Sequence, residues 1–285
     1  MTVSGKARIA GIIGWPVAHS LSMRLHGFWL QQFDIDGLYA PFPVRPGLLE
    51  QALRALPLLG IAGVNVTVPH KVQAMAVLDR VDELTRRIGA ANTIIVAEDG
   101  ALEGRNTDGY GFIEALRAST DTSAKDWSAS AGPAVVLGAG GAARAVIVAL
   151  QDAGAPNIRL ANRTLSTAQG LADELGPNIE AVPWDQRAAA LGDAGLLVNT
   201  TSLGLTGNPA LEIPLDDLPR SALVTDVVYA PLMTGLLTAA AARGNRTVDG
   251  LGMLLHQGRP GFKAWFGRDP EVTQELRDHV LDGAG

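Results

Sequence analysis

Residues 133–154, "PAVVLGAGGAARAVIVALQDAG", decide the fold. Four apolar residues run into a glycine-rich turn, and an alanine-rich helical stretch follows, closed by Gly154. Gly138, Gly140 and Gly141 stand between the strand and the helix, with the small Ala143 where a third compact residue is needed. A chain that turns this tightly can bring bare backbone N–H groups against a pyrophosphate at the positive end of the helix.

Downstream the same alternation repeats. "NIRLANR", "IEAVPW", "GLLVNTT", "ALVTDVVY" and "RTVDG" read as strands; "TLSTAQGLADELG" and residues 232–243 read as helices. This is a doubly wound parallel sheet. A nucleotide site preferring NAD would offer an acid at the end of the second strand to accept from the ribose hydroxyls. Here that position holds Asn162, Arg163 and Thr164. A guanidinium suits a 2′-phosphate that a carboxylate would repel, so NADP is the expected cofactor.

Upstream, a second series occupies the first hundred residues. "ARIAGIIG", "GLYAPFPV" and "AGVNVTV" are strand-like. "LSMRLHGFWLQQF" places Leu21, Leu25, Phe28, Trp29 and Phe33 on one helical face, and "GLLEQALRALPLLG" gives a second helix closed by Gly60. "KVQAMAVLDRVDELTRRIG" reads as one further helix, and Asp99-Gly100 as the turn of a hairpin. The polar stretch from Arg117 to Gly132 reads as a connection between two domains, which a chain of 285 residues can accommodate. In the tail, a helix near "MLLHQG" is expected to be interrupted at Pro260-Gly261. A last helix is expected to start with Asp269 as N-cap and Pro270 as first helical residue, and to end at Gly283.

Composition narrows the partners. A formal charge of −6 gives no general basic field, so nucleic acid is not expected. The absence of cysteine excludes disulfides and thiolate chemistry. No apolar run is long enough for a bilayer and no signal peptide opens the chain, which makes a cytoplasmic location the expectation and a membrane partner unexpected. His19 and His26 lack spaced acidic companions, so no metal is expected. The oligomeric state stays open, a homodimer included.

Three clusters carry candidate chemistry. In the strand at 62–68, Asn65 and Thr67 point to one side, offering an amide and a hydroxyl to a polyhydroxylated ligand, and Lys71 follows on the turn. A lysine there opposes the positive end of any following helix, which favours a role in function. "GRNTDG" supplies Asn106 and Asp108, and "GWPVAHSLS" sets Ser20 and Ser22 at a helix start, where hydroxyls and free N–H groups can take a carboxylate.

"GWPVAHSLS", "GVNVTVPHK", "GAANT", "GRNTDGYGF", "LGAGGAARA", "NRT", "NTTSLG" and "DGLGMLLHQ" occur in order across nearly the whole chain, which in this respect resembles the shikimate dehydrogenases. The resemblance implies an α/β fold with an N-terminal substrate domain over residues 1–107, a Rossmann-type NADP-binding domain over 108–249, and C-terminal helices over 250–285 returning to the substrate domain. It implies reduction of 3-dehydroshikimate to shikimate with NADPH. Lys71 and Asp108 become the catalytic pair. Ser20 and Ser22 hold the carboxylate, with Tyr229 nearby, and Asn65, Thr67, Asn92 and Gln257 hold ring hydroxyls. Gly138, Ala139, Gly140, Gly141, Ala142, Asn162, Arg163 and Thr164 become cofactor residues. Asn199, Thr200, Thr201, Ser202, Val227, Gly250 and Met253 lie toward the nicotinamide. Met23, Gly27, Ala230 and Thr167 depart from the family pattern, the last weakening the expected NADP preference by removing a second basic residue. A quinate dehydrogenase of the same superfamily is the alternative, and a non-catalytic NADP-binding sensor a more distant one.

Overall fold

The computed structural model describes residues 3–119 and 127–282. Part of the expected connection, residues 120–126, and the expected helix end at Gly283 lie outside the described residues. The chain forms two compact units, Met1–Asp108 with Leu255–Gly285, and Gly109–Leu254.

The first unit is built on a mixed six-stranded sheet, β1 (Arg8–Gly14), β2 (Gly37–Pro43), β3 (Ile61–Val66), β4 (Arg80–Val81), β5 (Thr93–Val96) and β6 (Leu102–Arg105), in the order β2-β1-β3-β5-β6-β4. Strand β1 runs parallel to β2 and β3, while β5 is antiparallel to β3 and β6. Val64 and Val66 are buried, and so is Asn65 on the alternate face, so β3 has no watered side.

Helix α1 (Ser22–Gln32) buries Ser22, Leu25, His26, Trp29 and Leu30. Its inward face is rotated from the expected one: Phe28 and Phe33 are only half-buried, lying against His279 and Phe262. The rotation brings His26 flat onto Tyr39, with ring centroids 3.9 Å apart. Helix α2 (Leu49–Ala55) is shorter than expected, the chain leaving it just before Pro57.

The single helix expected over 71–89 does not form. The segment divides into a 3₁₀ turn (Gln73–Ala76), the short strand β4, and helix α3 (Glu83–Ile88). Polar side chains cause the break. Asp79 accepts from the Leu102 N–H at 2.8 Å, and Arg80 pairs with Asp99 and Glu103, which draws residues 80–81 alongside β6. Asp82 then caps α3, accepting from the Thr85 N–H at 2.6 Å, and Gly89 closes it in the left-handed conformation.

Helix α8 (Gly250–Phe266) runs uninterrupted through Pro260, contrary to expectation. A proline inside a helix costs about 3 kcal/mol. Complete burial of Phe262 and Trp265, at about 1.5–3 kcal/mol each, offsets it. Trp265 donates to the Ile94 carbonyl at 3.0 Å directly over Gly63, where a Cβ would come within 2.2 Å of both. Only glycine fits there. The final helix, α9 (Gln274–Leu281), starts later than expected, with Thr273 as its cap accepting from Leu276 N–H. Asp269 is instead engaged by Lys263 at 2.9 Å and Arg259 at 3.5 Å, so its carboxylate is not available to start a helix.

The second unit carries six parallel strands, β7 (Ala134–Leu137), β8 (Ile158–Asn162), β9 (Ile179–Pro183), β10 (Leu196–Asn199), β11 (Leu223–Asp226) and β12 (Arg246–Val248), in the order β12-β11-β10-β7-β8-β9. Alternation along β7 serves two cores. Val136 faces Val146, Ile147 and Leu150 of α5 (Gly141–Asp152) with Phe112 of α4 (Asp108–Ala118), while Val135 and Leu137 join Leu236, Leu237 and Ala240 of α7 (Gly235–Ala242). Helix α6 (Leu165–Leu175) adds Ala168 and Leu171 to the first core. Helix α7 begins three residues after the expected Leu232, because Thr234 caps it. The chain order reverses between β7 and β10, and ligands of such sheets bind outside the strand ends at that reversal.

Candidate active site

In the first unit, β3 ends at Val66 and the chain turns through Thr67–His70. The Thr67 N–H donates to the Ile13 carbonyl at 2.9 Å, and the His70 ring bonds the Val44 carbonyl at 2.8 Å. The turn aims Lys71 inward rather than along a helix axis. Its ammonium donates to Asp108 Oδ2 at 2.5 Å, with the lysine side chain 15% and the aspartate 4% exposed. The pair is shielded, yet the lysine is still reachable.

Asn92 fixes the other carboxylate oxygen, donating to Asp108 Oδ1 at 2.8 Å. It also donates to Thr107 Oγ1 and Gln257 Oε1, and its own oxygen accepts from the Thr107 N–H at 2.8 Å. Thr107 reaches on to the Gln257 carbonyl at 2.8 Å. Asn106 starts α4 by accepting from Asp108 N–H while donating to the Ala90 carbonyl.

The network continues toward α1. Asn65 donates to the Asn92 carbonyl and to Thr93 Oγ1, and accepts from the Tyr39 hydroxyl at 2.6 Å. Both amide protons of Asn65 are thereby used, so toward a ligand hydroxyl it could act only as an acceptor. Tyr39 also meets Ser22; burial pushes its phenol upward, and Ser22 partly opposes that shift. Ser22 N–H donates to Ser20 Oγ at 3.2 Å. Ser20, Ser22, Asn65, Asn92, Gln257, Lys71 and Asp108 thus form one connected group, with Thr67 half-buried beside Gly14. Burial pushes His26 down to about 3, so it is a neutral packing residue. His19 is exposed.

In the second unit, Gly138 adopts φ +103° and packs against Thr200 and Thr201, where a Cβ would come within 2.9 Å of both. Gly140 is exposed, opens onto free space and caps α5 without any side-chain bond to the helix N–H groups. The first turn of α5 carries no acid. This is a cradle open to an anion, and a dinucleotide pyrophosphate fits it. Ala143 is fully buried under the loop, and Ala139 and Ala142 are half-buried.

At the end of β8, Asn162 donates to the Thr164 carbonyl at 3.0 Å, shaping the turn. Arg163 and Thr164 are exposed, and Arg163 makes no ion pair among the described residues. Asn199 is fully buried, donating to Leu203 O and Asp226 Oδ1 and accepting from Thr201. Thr200 and Thr201 are half-buried and Ser202 is exposed. Val227 and Tyr229 are half-buried on the loop after β11; Gly250 is buried, and Met253 packs into the core.

The sequence reading passed over Tyr39, Thr93, Thr107, Asp226 and Thr234. Asp226 had a signal, an acid within the apolar run "ALVTDVVY". Among the described residues no helix is long and apolar enough to cross a membrane, and no cluster of His, Asp and Glu could hold a metal.

Comparison with known proteins places this geometry. Family models match residues 12–94 (shikimate dehydrogenase substrate binding domain), 122–206 (shikimate/quinate 5-dehydrogenase) and 250–277 (shikimate 5′-dehydrogenase C-terminal domain). A relative from Paramagnetospirillum magneticum, shikimate dehydrogenase (NADP(+)), is 57% identical, covering 98% of this chain and 100% of its own. The crystal structure of Thermus thermophilus shikimate 5-dehydrogenase with NADP(H) and shikimate aligns with TM-score 0.84 at 38% identity, over 96% of this chain and 99% of that one. Quinate dehydrogenase from Corynebacterium glutamicum in complex with NAD aligns with TM-score 0.86 at 29% identity, over 97% and 99%. Both units and the connected polar group within the first therefore fall under matches that span almost the entire sequence, and the chain belongs to the shikimate dehydrogenase family.

Proposed function

We propose that this protein interconverts 3-dehydroshikimate and shikimate with NADP(H), as a cytoplasmic enzyme of the route to chorismate and the aromatic amino acids. The observation that carries this reading is the Lys71–Asp108 pair, 2.5 Å apart and joined to a chain of hydroxyl and amide groups suited to a small polyhydroxylated acid. The first unit is the substrate-binding and catalytic domain, and the second binds the cofactor.

When bound, the dinucleotide supplies the hydride. Gly138–Ala142 cradle its pyrophosphate with backbone N–H groups, Asn162, Arg163 and Thr164 take the 2′-phosphate end, and Asn199–Ser202, Val227, Gly250 and Met253 lie toward the nicotinamide. Lys71 holds a proton on Nζ and presents it to the substrate carbonyl oxygen, stabilising the charge that develops there. Asp108 fixes the ammonium and accepts from the reacting hydroxyl, and Asn92 keeps that carboxylate from turning. Ser20 and Ser22 bind the substrate carboxylate; Asn65, Thr67, Asn92 and Gln257 order the ring hydroxyls. Asn65 meets its hydroxyl as an acceptor, because its amide protons are already used.

The test is an assay with NADP⁺ and shikimate, then quinate, following the absorbance of reduced nicotinamide. Activity on quinate alone would sink the substrate assignment. Lys71→Ala is expected to lower kcat by about 10²–10⁴, the range of proton-transfer assistance, with little change in KM. Near-native kcat would remove Lys71 from the chemistry. Arg163→Ala is expected to weaken NADPH binding by about 1–3 kcal/mol and to spare NADH; equal losses for both cofactors would refute its assignment to the 2′-phosphate.

A further inference from the structure

Among the described residues two carboxylates are buried, Asp108 and Asp226, and the chemistry above uses only the first. Asp226 ends β11 at 1% exposure. Its Oδ1 accepts from Asn199 Nδ2 and from the Val228 N–H, both at 2.9 Å, and its Oδ2 accepts from Thr234 Oγ1 at 2.8 Å. The three donors belong to three segments: the end of β10, the loop after β11 and the cap of α7. One carboxylate therefore joins all three.

The loop it holds is restrained elsewhere too. The Val227 N–H donates to the Asn199 carbonyl at 3.0 Å, and the Ala230 carbonyl accepts from Thr206 N–H at 2.7 Å. Gly250 approaches so closely that a Cβ there would lie 2.6 Å from the backbone of Val227 and Val228. Asn199, once oriented by Asp226, uses its remaining groups on Thr201 and Leu203, so the orientation passes to the stretch 200–203.

We propose that Asp226 is a positioning residue for the nicotinamide end of the cofactor. By fastening the loop after β10 to the loop after β11, it sets the backbone of Thr200–Ser202 and Val227 in the arrangement that the dinucleotide requires. The inference rests on the assignment of those residues to the cofactor. Its chemistry is specific: what matters is a planar group with one oxygen accepting twice and a second atom bonded to a hydroxyl. Asparagine can meet that need, its oxygen serving Asn199 and Val228 while its amide donates to Thr234 Oγ1. Leucine cannot, and would leave buried donors without acceptors.

The experiment compares Asp226→Leu and Asp226→Asn by NADPH fluorescence titration and by calorimetric titration with shikimate. Asp226→Leu is expected to raise the NADPH Kd about tenfold or more while the shikimate Kd stays within about twofold, and Asp226→Asn to return the NADPH Kd to within about threefold. An NADPH Kd unchanged in the leucine variant would overturn the proposal, as would equal loss in the asparagine variant or parallel loss of shikimate binding. Should Asp226→Leu fail to fold, Thr234→Val removes one of the three donors to Asp226 together with the cap bond from Leu237 N–H; it is expected to raise the NADPH Kd about threefold, and no change there overturns the proposal equally. Gly140→Asp, which sets a carboxylate in the cradle, tests the cofactor assignment separately. NADPH binding that survives it would refute that assignment whatever Asp226 does.

Discussion

Asp108 and Asp226 are both buried, and each has one oxygen held by an asparagine amide, Asn92 at 2.8 Å and Asn199 at 2.9 Å. They differ in the group on the other oxygen. Asp108 has the Lys71 ammonium at 2.5 Å; Asp226 has the neutral hydroxyl of Thr234 at 2.8 Å. Burial penalises the charged form of any carboxylate, and neutral donors oppose that only in part. For Asp226 burial wins, pushing it up from 3.8 to about 6 against the bonds from Val228, Thr234 and Asn199. The contrast teaches what the lysine adds. Hydrogen bonds from neutral groups alone hold Asp226, whereas Asp108 carries an ammonium directly on its second oxygen.

The comparison breaks most visibly if the cationic pair is cut. Asp108→Ala leaves the ammonium without its anchor, and kcat is expected to fall by about 10²–10⁴ in steady-state assays, the scale of acid–base assistance. Asp226→Asn, which keeps the neutral pattern, should leave kcat within about tenfold of native. Equal kcat losses at the two sites would show that the charged partner confers no catalytic distinction.

A second effect sharpens the contrast through pH. Because the folded-state value for Asp226 is raised, the native state binds more protons than the unfolded state between pH 3.8 and about 6. Its contribution to stability is therefore complete below the lower value and is lost as pH rises through the upper one. The shift corresponds to about 3 kcal/mol across that window. Asp226→Asn removes this dependence, so urea unfolding should find the variant gaining on the native chain by about 2 kcal/mol from pH 4.5 to pH 8. An offset that does not change with pH would mean that Asp226 titrates normally.

The two acids also differ in how far the amino-acid order reveals them. Asp108 lies in a polar motif at the end of a strand series, and Lys71 is a charge straight after an apolar strand, so both attract notice. The glycine loop at 138–141 is equally plain, because the spacing of glycines and the change of period are local properties. What escaped was non-local. The apolar period of 71–89 suits one helix, and it is Asp79 and Arg80, bonding to the distant Leu102 N–H, Asp99 and Glu103, that divide it, while Asp82 caps the short helix that remains. Pro260 marks an interruption in any sequence, and only the packing of Phe262 and Trp265 lets the helix pass through it. Asn65 shows its type but not its prior engagement with Asn92, Thr93 and Tyr39. Asp226 stands in an apolar run as an anomaly, but its three donors come from segments up to 27 residues away.

The smallest effect concerns Thr234, the hydroxyl that stands where Asp108 has an ammonium. It donates to Asp226 Oδ2 and accepts from the Leu237 N–H at 3.3 Å, capping α7. Thr234→Val removes both bonds with little change in shape. The cap and the lost hydrogen bond together are expected to cost about 1–2 kcal/mol in urea unfolding at pH 8. The Thr234 bond holds the Asp226 value down, so without it burial acts with less opposition, and the midpoint of the pH-dependent stability should move above about 6. Because protonated Asp226 needs the hydroxyl less than the carboxylate does, the cost of Thr234→Val should shrink as pH falls below that midpoint. A cost that is the same at pH 4.5 and pH 8 would assign the whole effect to the helix cap and none to the carboxylate.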